Sequence, residues 1–487
     1  MAVDIYHSRL LGRALRNPLW QRIVQSVALL CLFALLWTAW GRVSLPGIAD
    51  PWPLIYTNAA TLVFWVLWFM GLVLTVPLVG RLWCGICPLG FVSERLGRLG
   101  LNLSWPKPPL SWLGTIAIFL AGLGGALYWN VHKSPYATAA FVGMAGVLAV
   151  VSGLVWRRAA FCKLFCPVGL VLSVYSRFSR IYVAPIDGEK CSGCEDRSCT
   201  ARKGVWKRWD LGPSLVLQKK IFSGGCPVAL TPRTMDRSEC QLCLECVRNC
   251  SKSNLGVFYG AKTSNAPFST PAGVLFIFLT GLVTLALSRT WPAVRDALTP
   301  GIHPSSLVVA LWLGALVPAA ILFAGPLISH LGFKSAGKDS KEPSAATSPE
   351  SAGEAEKGLT LWERFKITAT PFAGIIFGGH SALALVKLNA KGPYAPYLVY
   401  DPTGAATYMA INVSKTLPLP QMFLPLPVLR WVAMGLLLLG VIAGLAETKK
   451  AWGDSLGKAG KGIHYAAFLA VAVLYGALIR HWLFGGG

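Results

Sequence analysis

Nine apolar stretches, each long enough to cross about 30 Å of hydrocarbon as a helix, recur at residues 22–40, 59–79, 112–129, 139–156, 272–287, 306–328, 367–388, 428–445 and 463–483. Hydrophobic residues make up 54% of the chain and charged residues 14%, which is more apolar surface than a soluble globule of this length can bury. Backbone groups in lipid must be satisfied within helices or closed barrels, so the pattern predicts an all-α polytopic membrane protein of about nine transmembrane helices. Trp37, Trp40, Trp52, Trp112, Trp129 and Trp156 fall at span ends, where an amphipathic ring suits the headgroup region.

Charge sets the expected orientation. Lys and Arg number 45 against 21 Asp and Glu, and they sit mainly between spans rather than on one solvated face, which argues for positive cytoplasmic loops and against a nucleic-acid partner. Arg9, Arg13, Arg16 and Arg22 precede the first span; Arg81, Arg95 and Arg98 follow the second; residues 157–262 are richer still, and Lys449, Lys450, Lys458 and Lys461 follow the eighth. The N-terminus and the 157–262 region are therefore expected to be cytoplasmic, in a multi-pass protein of a bacterial inner membrane. The N-terminal segment is long and basic before its first apolar run and reads as retained, not as a cleaved signal. A Ser, Ala, Gly, Glu and Lys stretch at 333–360 has nothing to bury and reads as a disordered linker. The expected organisation is a four-helix membrane unit (1–184), a small α+β insert (185–262), two transmembrane helices (263–332), the linker, and three further helices (361–487).

Thirteen cysteines carry the chemistry, and twelve of them fall in clustered spacings within or beside the segments assigned to the cytoplasm. A reducing compartment disfavours structural disulfides, so metal or cluster ligation is the expected use. Cys240, Cys243, Cys246 and Cys250 form C-x2-C-x2-C-x3-C, a run that wraps one cubane and sends its fourth thiolate to a neighbouring cluster. Upstream, Cys191, Cys194 and Cys199 form C-x2-C-x4-C, with Cys226-Pro227 after a long gap. Crossed ligation predicts that Cys191, Cys194, Cys199 and Cys250 hold one [4Fe-4S] cluster and Cys226, Cys240, Cys243 and Cys246 the other, in a two-cluster ferredoxin-like module. Three departures stand out: the four residues before Cys199, the long gap to Cys226, and Ser251 where a proline is usual. Paired C-x2-C units also suit tetrahedral zinc, so zinc is the competing reading. Cys31, within the first span, reads as an apolar packing residue.

The remaining four cysteines lie in an internal repeat. RLWCGICPLGFVSERLGRLG (81–100) and RAAFCKLFCPVGLVLSVYSR (158–177) each follow a pair of spans, each begins with a basic residue, and each places two cysteines before Pro-x-Gly and an amphipathic stretch. Proline suits the first helical position and the helix dipole there favours a thiolate. Cys84, Cys87, Cys162 and Cys166 are thus placed to converge on a third iron-sulfur centre near the membrane surface, to act as redox thiol pairs, or only to pack.

These paired Cys-Pro motifs followed by a two-cluster segment resemble the NapH- and NosR-type membrane polyferredoxins, a group that includes the CcoG-type proteins of oxidase assembly. The resemblance covers roughly residues 20–262, and FCKLFCPVGLVLSVYSRFSRIYV, leading into Cys191, is its most specific stretch. It implies membrane-bound electron transfer that draws on the quinol pool or serves a periplasmic redox partner. Cys84-Gly-Ile-Cys87-Pro88 departs from the family, which usually spaces these cysteines by three residues, and the residues before the first span hold no flavin-bearing domain of the NosR type. The last three spans lie outside the resemblance.

Other cofactor signals are thin. C-x-x-C-H and G-x-x-x-x-G-K-[ST] are absent, so covalent haem and nucleotide-driven chemistry are not expected. His380 and His481 are candidates for haem ligation or for lining a quinone pocket, against the alternative of packed histidines. Buried carboxylates are too few in the spans for an acidic proton relay. Lys203, Lys207, Arg208, Lys219 and Lys220 give the insert a basic surface that either steers an acidic ferredoxin or flavodoxin or merely solvates it. The expected function is electron relay between the quinone pool, or a membrane redox partner such as a reductase or cytochrome, and the cytoplasmic-side clusters, as part of a quinol dehydrogenase system. The alternative is a redox factor that matures a metalloenzyme.

Overall fold

The computed structural model describes residues 2–9, 11–201, 203–210, 216–260, 266–288, 360–452 and 458–485, with isolated positions between Trp291 and Leu327. The chain enters through β1 (Val3–Asp4) and α1 (Pro18–Ala39), then runs through α2 (Ala59–Val79), α3 (Pro88–Leu99), α4 (Leu110–Tyr128), α5 (Pro135–Val155) and α6 (Pro167–Tyr175). The insert follows as β2 (Ile181–Pro185), α7 (Gly188–Ser192), β3 (Lys203–Asp210), β4 (Val216–Ser223), α8 (Glu245–Arg248) and β5 (Leu255–Tyr259). The remaining long helices are α9 (Thr270–Ser288), α10 (Phe372–Lys391), α11 (Leu426–Trp452) and α12 (Lys458–Phe484).

Among the described residues, α1, α2, α5, α9, α10 with its continuation to Val399, α11 and α12 are long and apolar enough to cross a membrane, seven helices in all. The expected span at 112–129 is a helix of 19 residues, α4, with Leu110–Gly122 as the described part of its apolar run. The expected span at 306–328 falls largely outside the described residues, and so does the linker at 333–360 apart from Thr360.

Local sequence explains the helix starts. Asn17 and Ser134 accept hydrogen bonds from the first turns of α1 and α5, and a proline at the next position loses no bond because that N–H would be unpartnered anyway. The main apolar core is built from Val76 of α2, Tyr175 of α6, Phe276 of α9, Phe372 of α10, Leu437 of α11 and Phe468 of α12. Glycines allow a tight crossing between α10 and α11: a Cβ on Gly440 would run into the carbonyl oxygen of Gly374, and one on Gly374 into that of Gly440. By contrast α1 turns Leu30, Phe33 and Trp37 outward, an arrangement that lipid tails satisfy and water does not. Cys31 is exposed on this helix, among the side chains turned away from the bundle.

The helices after the linker pack into the same bundle. The Ala59 N–H donates to the Pro402 carbonyl at 3.0 Å, Asn58 donates to Thr403 at 3.0 Å, and Tyr175 shares a 2.8 Å hydrogen bond with His380 of α10. Arg177, just past α6, lies 3.6 Å from Asp236 of the insert and 4.0 Å from Glu447 of α11. Such a buried charge is tolerable only where carboxylates and hydrogen bonds compensate it.

The insert's sheet has the order β1-β5-β2, with both pairings antiparallel and Val183 opposite Val257 in the β2–β5 register. Its first strand comes from the N-terminal segment, which the sequence showed only as a retained basic stretch before the first span. The Ile5 N–H donates to Val257 at 2.8 Å, and Tyr6 is buried with Val183, Leu244, Val247 and Leu255. Arg248 ties the same region to the bundle through Leu15 O at 3.0 Å and Gln21 Oε1 at 2.8 Å. The long gap between Cys199 and Cys226 is occupied by the β3–β4 hairpin, in which Lys207 pairs in register with Lys219.

Candidate metal centre

The two repeated segments fold alike. In the first, a helical turn (Leu82–Ile86) leads to Cys87 at the N-cap of α3; in the second, a turn (Ala160–Leu164) leads to Cys166 at the N-cap of α6, with proline at the first helical position in both. The Gly169 N–H donates to Cys166 Sγ at 3.3 Å. This is the geometry in which backbone N–H groups at a helix start favour a thiolate.

Folding brings the cysteines into three neighbourhoods. Cys162 lies within electrostatic reach of Cys166, Cys87 and Cys84. Cys243 has the same relation to Cys226, Cys246 and Cys240, and Cys199 to Cys250, Cys191 and Cys194. These are the three groupings that spacing suggested. The neighbourhoods also adjoin one another: Cys240 senses Cys84, and Cys246 senses Cys199. They form a file in which the Cys226, Cys240, Cys243 and Cys246 group adjoins both of the others.

Burial dominates the thiol chemistry. It pushes Cys87 up to about 11, Cys166 to about 12 and Cys240 to about 11, from an ordinary value of 9.0, and the backbone N–H groups of Gly90, Gly169 and Leu242 only partly offset it. Cys162, Cys243 and Cys246 are raised further, first by burial and then by neighbouring sulfurs. Such thiols keep their protons unless a cation replaces them, which is what a bound metal does.

The space around the sulfurs fits a cluster. A Cβ on Gly90 would sit 3.1 Å from Cys162 Sγ, so this glycine keeps the thiol space open, whereas one on Gly169 would meet Cys166 Sγ at an ordinary 3.6 Å. Arg81 is 6% exposed, and its Nε is buried without a protein partner among the described residues. A cluster sulfide would be an acceptor for such a donor. Cys191, Cys194, Cys199 and Cys250 line a cavity of about 280 Å³, with Arg197 and Arg233 at its wall. Among the described residues no three His, Cys, Asp or Glu side chains close on a single-ion site. A cubane takes each of its four thiolates at a separate iron.

The histidines have separate surroundings. His380 is buried, bonded to the Tyr175 hydroxyl and flanked by Phe69, whereas His481 stacks on Trp291 with ring centroids 4.4 Å apart. Lys203, Lys207, Arg208, Lys219 and Lys220 all lie on the β3–β4 hairpin. Sequence reasoning missed Arg81 and Arg158 as partners of the insert, although the repeat offered a signal by opening each copy with an arginine.

Two regions, residues 61–106 and 136–183, match the 4Fe-4S binding domain family, one over each repeated segment. The chain is 29% identical over 203 residues to an uncharacterised protein of Methanocaldococcus jannaschii, covering 39% of this chain and 68% of that one. A second uncharacterised protein of the same organism is 25% identical over 217 residues, covering 39% of this chain and 77% of its own length. No solved structure matches. With seven helices suited to a membrane, the family match supports an iron-sulfur electron-transfer role.

Proposed function

We propose that the protein is a membrane-bound electron relay of the NapH and NosR type carrying three [4Fe-4S] clusters. The ligand sets are Cys84, Cys87, Cys162 and Cys166 at the bundle surface, Cys226, Cys240, Cys243 and Cys246 in the middle, and Cys191, Cys194, Cys199 and Cys250 outermost. The two latter sets form a ferredoxin-like module. The observation that carries this reading is the file itself, in which each quartet adjoins the next through Cys84 and Cys240 and then through Cys246 and Cys199. Bound clusters supply one-electron chemistry whose potential follows net charge, hydrogen bonds to sulfur and solvent exposure. The chain's own part is to hold the thiolates, exclude water from the two inner quartets, and leave the outer quartet beside an open cavity where a soluble partner can exchange electrons.

On the bilayer side the source is a quinol or a membrane redox partner. The Tyr175 hydroxyl and His380 form the hydrogen-bonding pair suited to a quinol headgroup, since Tyr175 ends the helix that Cys166 begins and polar groups inside a membrane bundle mark functional sites. Following the charge pattern, the N-terminus and insert face the cytoplasm of a bacterial inner membrane, and an acidic ferredoxin or flavodoxin meets the insert. The test is anaerobic stopped-flow mixing of the purified protein in lipid with a quinol analogue. Rapid reversible bleaching of the cluster absorption, slowed at least tenfold in Tyr175→Phe, is expected. Bleaching by dithionite alone would remove the quinol from the account.

A further inference from the structure

The first residue of each repeated segment leaves the membrane unit to grip the insert. Arg81 Nη1 donates to the carbonyls of Glu239 at 2.9 Å and Ser238 at 3.3 Å, the two residues that precede Cys240. Its other terminal nitrogen faces the opposite way, 3.3 Å from where a Gly169 Cβ would stand, beside Cys166. Arg158 donates to the carbonyl of Cys226 and, at 3.3 Å, to that of Thr200, which follows Cys199; the adjacent Ala159 N–H donates to Pro227 at 3.2 Å. Arg158 does this from a left-handed backbone with φ of 65°, uncommon for a residue with a Cβ and held where Gly97 packs directly on its carbonyl. The arginines that open the two copies, Arg81 at the cap of its cysteine turn and Arg158 one residue before the cap of its own, therefore reach the two chain segments that supply the middle quartet.

We infer that Arg81 and Arg158 are a paired clamp that seats the Cys226, Cys240, Cys243 and Cys246 quartet against the bundle-surface quartet and raises the reduction potential of the centres they hold. The inference rests on the iron-sulfur reading. Adding one electron to a centre adds one negative charge, and a fixed guanidinium in a water-poor site stabilises that charge more than a neutral side chain does. Arginine suits the task because its planar fork spans two acceptors at once while its charge is permanent. Both residues act through the ligand loops and the local field, so they are positioning residues.

The experiment uses the full-length protein, purified without oxygen, with dithionite as reductant and redox mediators present. Iron per chain, EPR midpoints and the spin-spin broadening between centres are recorded for wild type, Arg81→Gln, Arg158→Gln and Arg81→Lys. Arg81→Gln is expected to keep its iron while its reduced-to-oxidised ratio at fixed potential falls about tenfold, a downward shift of about 59 mV for a one-electron couple. Arg81→Lys should recover most of that shift, and Arg158→Gln should weaken the broadening. Wild-type midpoints and broadening in both Gln variants would overturn the clamp. If Arg81→Gln binds no iron, Arg81→Lys decides: recovery of iron with a near-wild-type midpoint supports the clamp, and an iron-free Lys variant overturns it. Wild-type protein without iron would instead defeat the iron-sulfur reading itself.

Discussion

Cys162→Ala should lose about a third of the protein's iron, one cubane of three, and should abolish cluster reduction from the bilayer side while leaving dithionite-reducible centres in the insert. The effect is large because Cys162 has no substitute nearby. It lies among Cys84, Cys87 and Cys166, and Gly90 is small enough to leave its sulfur room. The thiols left, among them Cys87 and Cys166, which burial holds above their ordinary range, would then have to keep a cluster with one iron unligated, and such a centre is not retained. Cys31→Ala is the control: that thiol is exposed on α1, and its loss should change neither iron content nor reduction. Iron and acid-labile sulfide per chain, with quinol-driven bleaching, read both variants.

Stripping iron from the whole protein should unfold the insert and spare the membrane bundle. The insert's apolar core is small, formed by Tyr6, Val183, Leu242, Leu244, Cys246, Val247, Leu255 and Val257. Against it stand five non-glycine residues in the left-handed region, Arg197, Ala229, Leu242, Leu244 and Ser253, all in or near the cysteine loops. At about 1 kcal/mol or more each, their strain rivals the whole stability of a small domain, about 5–15 kcal/mol. Iron-thiolate bonds are what hold such loops, so chelation under reducing conditions should open them. Limited proteolysis should then cut between β2 and β5 and free the N-terminal strand from β5. Far-ultraviolet circular dichroism should retain its helical signal, because the buried residues of the core around Phe276, Phe372 and Phe468 include no iron ligand and Cys84 only packs against its margin.

The spans were legible because a bilayer imposes one length and one chemistry on every crossing, and α1, α2, α5 and α9 to α12 carry both. The duplicated Cys-Pro segments were legible for a local reason: proline at the first helical position and a cysteine at the cap leave the same mark in any fold. Other features were not legible because they depend on partners far along the chain. Val3–Asp4 is too short for any periodicity and becomes a strand only because β5 offers an open edge. The basic stretch after Cys199 read as a charged surface, yet it pairs as a hairpin, with Val205 opposite Ile221 and Lys207 opposite Lys219. Arg81 and Arg158 looked like two more boundary charges; their reach to Glu239 and Cys226 appears only once the insert folds back onto the bundle. The tight contact of Gly374 with Gly440 likewise belongs to a crossing between two helices, and neither helix shows it alone.

The most direct test of the three-cluster relay is an iron and acid-labile sulfide count on protein purified without oxygen in mild detergent, combined with low-temperature EPR after dithionite reduction. The account predicts about twelve irons and as many sulfides per chain, with interacting cubane signals from neighbouring centres. About eight irons would confine the clusters to the insert and leave Cys84, Cys87, Cys162 and Cys166 as thiols, and zinc without iron would contradict the relay altogether.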